Sequence, residues 1–212
     1  MLPLRARFIA AVAFASPMLL AQASVVTNLE NGRSPSGRYA LVLDRSSAGH
    51  LTYRVVHHSS GRILVKIDAS YQPQIGELRG WAMRQASDAR VFWNKASDLT
   101  AIEEAVHHGA GTVMIVRVNH PAGAARQLQL PEDALLQSTH LTWSKHRLFC
   151  SGGWIGSRDF SLEVRGETAT GEPRAVEMVV RVRSNGTIQV KEMKKANRTD
   201  NAAARQHWAR SS

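Results

Sequence analysis

The sequence predicts an all-β fold of antiparallel meanders, arranged as blade-like repeats in an open sheet or two-layer sandwich with a short helical insert. Three observations carry that prediction. The stretch Val56-His57-His58-Ser59-Ser60-Gly61-Arg62-Ile63-Leu64-Val65 recurs fifty residues later as Val106-His107-His108-Gly109-Ala110-Gly111-Thr112-Val113-Met114-Ile115. Each copy has a His pair, small residues with a Gly, and then an apolar run in which β-branched types are frequent, the pattern of a β-hairpin. Phe160, Leu162 and Val164 alternate with polar residues across Asp159 to Glu167, the period of a half-buried strand. Ala175 to Arg183 then runs into Ser184-Asn185-Gly186-Thr187 and on to Ile188-Gln189-Val190, and Asn-Gly is a strong hairpin signal.

Taken in order, the chain opens with two positive charges, Arg5 and Arg7, followed by an uncharged apolar run from Phe8 to Leu20 and then Ala21-Gln22-Ala23. These are the parts of a secretory signal peptide, so residues 1–23 are expected to be removed and the mature chain exported to the periplasm or medium. An N-terminal membrane anchor is the alternative, but Pro17 interrupts the run and small residues gather at the cleavage site. After cleavage no integral membrane segment is expected. Residues 24–33 are polar, with Asn31-Gly32 as a turn signal, and read as a flexible lead-in.

The β domain is expected over 34–194. Ser34-Pro35-Ser36-Gly37 is a turn leading into a strand at Arg38 to Asp44, and Leu51 to Val56 and Ile63 to Ile67 complete a meander. Asp68 to Ala89 gives no clear period. Arg90 to Trp93 and Leu99 to Val106 are strands, and Val113 to Val118 leaves the second His-His hairpin. Pro131-Glu132-Asp133-Ala134-Leu135-Leu136 predicts the helical insert, with Pro in the first turn and acids at the positive end of the dipole. Leu141 to Trp143 and Arg147 to Cys150 read as short strands. Residues 195–212 read as a basic, flexible tail.

Composition sets the remaining bounds. The chain has 212 residues, 43% hydrophobic and 21% charged, which suits one packed domain and excludes wholesale disorder. Without Arg5 and Arg7 the formal charge of +10 becomes +8, part of it carried by Lys191, Lys194, Lys195, Arg198, Arg205 and Arg210. Such a charge favours anionic surfaces. Cys150 is the only cysteine, so no intramolecular disulfide exists, and its apolar neighbours mark it as a buried small hydrophobe.

Ser34-Pro35-Ser36-Gly37-Arg38-Tyr39-Ala40 resembles the Ser-Pro-Asp-Gly-Lys/Arg-Tyr turn of TolB-like and WD40-like β-propeller blades. Trp93-Asn94-Lys95-Ala96-Ser97-Asp98 is similar to a second copy, and Trp143-Ser144-Lys145-His146-Arg147-Leu148 to a third. The resemblance implies blade-like meanders and no catalytic residues. A closed ring needs at least four blades of roughly 40 to 45 residues each, which leaves this chain too short for loops and tail.

No chemistry-bearing motif emerges. His57 and His58 are neighbours on a strand and point to opposite faces, and there is no Cys cluster, HExxH or H-x-x-x-H. Glu103 and Glu104 likewise face opposite sides, the wrong arrangement for a carboxylate pair on one substrate. No G-x-S-x-G is present, and Ser151-Gly152-Gly153-Trp154-Ile155-Gly156 lacks the Lys of a phosphate loop. Arg181 and Arg183 with Lys191, Lys194 and Lys195 form a basic set, but aromatic residues make up only 6% and no stacking platform accompanies it, so nucleic acid is not expected. The sequence therefore predicts no catalytic, cofactor or metal residues. Its functional expectation is a non-enzymatic exported binding module with a protein or anionic envelope partner. The alternative is a small metal-dependent or hydrolytic enzyme built on His57, His107 and their neighbours.

Overall fold

A computed structural model describes residues 25–46, 49–70, 89–106, 110–119, 124–194 and 197–198. The strands fall into three successive antiparallel meanders. The first comprises β1 (Val25–Arg33), β2 (Tyr39–Arg45), β3 (Leu51–His57) and β4 (Ile63–Asp68), paired in chain order. The second is β5 (Arg90–Trp93), β6 (Leu99–Val106), β7 (Ala110–Asn119) and β8 (Ala124–Leu128). A short helix, α1 (Glu132–Ser138), leads to the third: β9 (Trp143–Trp154), β10 (Asp159–Thr168), β11 (Pro173–Val182) and β12 (Ile188–Met193). The second and third meanders share one sheet through a single parallel bridge, Gly111 to Leu148. β13 (Asn197–Arg198) continues the pairing of β12 along β11.

Period-two burial explains how the meanders pack. Leu41, Leu43, Leu51, Tyr53 and Val55 of the first meet Val91, Ile102, Met114, Val116 and Val118 of the second in one core. The other face of the second, Leu99, Ala101, Val113, Ile115 and Leu128, meets Phe160, Leu162, Val176, Met178, Val180 and Val182 of the third in another, with Leu135 of α1. The middle meander is thus covered on both sides. Its strands read as unbroken apolar runs for that reason: Leu99, Thr100, Ala101 and Ile102 are all at 0% exposure. The outer face of the third meander carries ion pairs instead, Asp159 with Arg181 and Lys191, and Glu177 with Lys194.

Two turns show how the meanders are locked together. At Ser34 to Tyr39, the Ser34 Oγ accepts the Tyr39 N–H at 3.1 Å and the Ser34 N–H donates to the Tyr39 carbonyl at 2.9 Å. Asn94 repeats this with Leu99, at 3.1 and 3.0 Å. Each turn has a left-handed residue at the same place, Gly37 (φ 69°) and Ser97 (φ 61°). Ser97 is held there although serine disfavours that region, because its buried Oγ accepts the Ser36 N–H from the first turn at 3.0 Å. The Trp93 indole donates to the Gly32 carbonyl at 3.0 Å, and the Trp154 indole donates to the Phe92 carbonyl at 2.8 Å. The same contact therefore joins first meander to second and second to third.

The antiparallel meanders and the helix over 132–138 agree with the sequence reading. Residues 24–33 differ: Val25–Arg33 is a paired strand, not a flexible lead-in. Asn31 (φ 55°) and Gly32 form a bulge within it, so the left-handed preference of Asn-Gly serves an irregular strand where a turn was expected. A Cβ on Gly32 would lie 2.5 Å from the Leu41 carbonyl oxygen, so only glycine fits. β8 (Ala124–Leu128) is a strand for which the sequence carried no expectation, and Trp143 to Leu148 lies within β9, while the turn equivalent to Asn94–Asp98 is Ile155–Arg158. The expectations for 1–23, for most of Asp68 to Ala89 and for the far tail fall outside the described residues.

Ser97→Ala should lower stability by about 1 kcal/mol through the lost hydrogen bond. Ser97→Gly loses the same bond but relieves left-handed strain of about 1 kcal/mol, so it should melt close to the parent. Thermal unfolding of the three proteins side by side checks this ordering.

Candidate functional site

Only one of the two His pairs lies among the described residues. His57 and His58 sit at the β3–β4 turn, where the His58 N–H donates to the Arg38 carbonyl at 2.7 Å. That places them at the end of the stack carrying the Ser34 and Asn94 turns. His107 and His108 lie outside the described residues. Among the described residues no group of three or more His, Cys, Asp or Glu is placed to hold a metal ion. His57 instead packs its ring edge-on to Tyr39, whose other contact is a stack on Trp93.

Glu103 and Glu104 point apart, as their adjacency on a strand requires. Glu103 accepts the Ser151 N–H at 2.8 Å on the side of the third meander, and Glu104 accepts the Ser70 N–H at 2.9 Å on the side of the first. Cys150 lies next to Ser151 on β9. Burial, and after it the Glu103 carboxylate, push its thiol up to about 11. Cys150 is half-buried and outside both cores, where a buried residue was expected, and a thiol so protonated at neutral pH is a poor nucleophile.

The feature with the most concentrated chemistry is the end where the first turns gather. Asn94 Nδ2 donates to the Ser157 carbonyl at 2.7 Å, tying the second turn to the third as Ser36 and Ser97 tie the first to the second. Exposed Arg33, Arg38, Arg62, Lys95, Arg126 and Arg183 surround this end. The acids there are already paired, Asp98 with Arg158 at 3.5 Å and Asp159 with Arg181 and Lys191. An open cleft of about 570 Å³ lies at its edge, between Gly156–Asp159 and Arg181–Ser184. Arg158 and Arg183 contribute charge to its walls, while Arg181 is held by two bonds from its guanidinium to Asp159 at 2.6 and 2.7 Å. Arg117 and Arg126 donate to the Ser184 and Asn185 carbonyls and hold the β11–β12 turn against the second meander.

Of the basic set read from the sequence, Arg181, Lys191 and Lys194 are engaged in ion pairs and Arg183 faces the cleft. Arg33, Lys95, Arg126 and Arg158 were not singled out, since they are far apart in the chain and only the stacking of turns unites them. A signal existed in Trp93 and Trp154, each closing the first strand of its meander sixty-one residues apart. No family model matches this chain, and no curated protein matches it. Among the described residues no helix is long and apolar enough to cross a membrane.

Two outcomes follow. At pH 8 the folded protein should react with iodoacetamide at Cys150 about a hundredfold more slowly than when unfolded, because a rise from 9.0 to about 11 leaves correspondingly less thiolate. Mass spectrometry of the time course reads this. Hydrogen bonds from Arg181 and then Lys191 hold the Asp159 carboxyl well below the usual carboxylate range. A depressed folded-state value gives stability that is present above the unfolded value and lost as pH falls through the folded one. Asp159→Asn should therefore melt lower than the parent at pH 7, and the gap should close as pH drops below about 4.

Proposed function

We propose that this chain is an exported, non-enzymatic binding module that presents the basic turn end of its meander stack to an anionic partner on the cell envelope. The observation that carries this reading is the bonding of the three first turns to one another, which makes their arginines and lysines one continuous surface. Ser36 to Ser97 and Asn94 to Ser157 are the ties. A surface fixed before contact keeps its charges in register without an ordering cost on binding. Export rests on the three-part segment Met1 to Ala23.

Cosedimentation of the mature chain with anionic and with uncharged lipid vesicles tests the reading. Retention on anionic vesicles should fall steeply between low salt and about 0.15 M, where screening acts over roughly 8 Å. The double substitution Lys95→Glu, Arg183→Glu should abolish it while leaving the melting curve in place, since both side chains are exposed. Retention that is indifferent to salt and to that charge reversal would overturn the proposal.

A further inference from the structure

The third of the first turns ends in an uncharged tip. Ile155, Gly156 and Ser157 are consecutive exposed residues between β9 and β10. At 63%, Ile155 is more exposed than any other large hydrophobic side chain among the described residues. The fold holds it there. The N–H groups of Ile155 and Gly156 both donate to the Asp159 carbonyl, at 2.9 and 3.4 Å, and the Ser157 carbonyl is tied to Asn94. Immediately before the tip, the Trp154 ring packs on Phe160 with centroids 5.0 Å apart, and its indole reaches the Phe92 carbonyl. An isoleucine fixed in water in this way leaves its favourable transfer to an apolar medium unrealised.

The charges around the tip are of one sign. The exposed tips of the three first turns, Pro35-Ser36, Lys95-Ala96 and Ile155-Gly156-Ser157, carry no carboxylate. The nearby acids Asp98 and Asp159 are half-buried and ion-paired. Arg183 is exposed on the wall of the 570 Å³ cleft that begins at Gly156. Ile63, 40% exposed and next to exposed Arg62, adds a second apolar side chain at this end. An anionic polymer in water would engage the cations and leave Ile155 with nothing to contact. A bilayer interface uses both, because the apolar group enters the acyl boundary while the cations stay at the headgroups.

We propose that the surface met by the basic end is a bilayer containing anionic phospholipid, and that Ile155 inserts into it while Lys95 and Arg183 contact headgroup phosphates. This rests on the reading of the basic end as the binding surface, and names what it binds and how it is held there. Charge attraction and apolar insertion are each weak alone and act together. Because the three turns are already bonded to one another, insertion needs no rearrangement of the fold.

An environment-sensitive probe tests this on the mature protein. With Ile155→Cys, Cys150→Ser labelled with nitrobenzoxadiazole, emission should rise severalfold and shift to the blue on vesicles containing phosphatidylglycerol, and spin-labelled lipid should quench it. The same label at Ala169→Cys, Cys150→Ser, at the other end of β10, should not respond. In the unlabelled protein, Ile155→Ser should weaken retention on these vesicles about tenfold at low salt without moving the melting curve. Val26→Ser, which trims a side chain 52% exposed at the far end of the strands, should leave retention unchanged. Salt-sensitive retention with an unresponsive probe at 155 and no effect of Ile155→Ser would overturn insertion while leaving the basic end as the binding surface. Binding to dextran sulfate without binding to the vesicles would overturn it in the same way. Loss of binding to both would overturn the two readings together, and equal losses from Ile155→Ser and Val26→Ser would also overturn the assignment to this tip.

Discussion

Burial of the middle meander on both faces is the constraint on which the rest of the structure depends. β6 and β7 leave almost no apolar side chain to solvent, so each outer meander must supply one complete apolar face and only one. Burial of side chains such as Leu99, Ile102 and Ile115 contributes roughly 1.5 to 3 kcal/mol each. The outer meanders can then spend their other faces on polar chemistry. The third does so with a surface of interleaved ion pairs, which suits it to end the stack.

Directional bonds fix what apolar burial leaves free. Two packed sheets can slide or rotate against each other at small cost in buried area, but a hydrogen bond between particular atoms sets the register. The indoles of Trp93 and Trp154 serve this purpose at equivalent places, each reaching the main chain of the preceding meander. The side chains of Ser97 and Asn94 do the same at the turns. All four contacts lie at one end of the strands, so that end is the better defined of the two, and it is also where the cationic side chains collect.

Much of the strand content was legible in the sequence, because period-two alternation and turn residues are local signals. β10, β11 and β12 could be read from Phe160-Ser161-Leu162, the apolar run after Pro173 and Asn185-Gly186. β1 could not, since Val25 to Glu30 is mostly exposed and lacks an apolar stripe; its pairing to β2 is decided by the rest of the meander. Both stretches of the His-His repeat close hairpins, β3–β4 and β6–β7, though these join different pairs of strands in their meanders. Similar hairpin chemistry arises at any turn between strands, so likeness of wording did not imply likeness of position. The basic end was illegible because its residues are distant in sequence and only the stacking of the turns unites them.

The doubly covered sheet also has a consequence for how the chain is made. Until both neighbours are in place, β5 to β8 expose apolar side chains in two directions, and no partial assembly of two meanders hides them all. The first meander leaves the ribosome and can form its own hairpins, yet the second has no finished environment until Val182 and Ile188 at the far end of the third have been synthesised. The middle of this protein is therefore committed last. In that interval its continuous apolar runs, Val113-Met114-Ile115-Val116 above all, are the segments most in need of a chaperone.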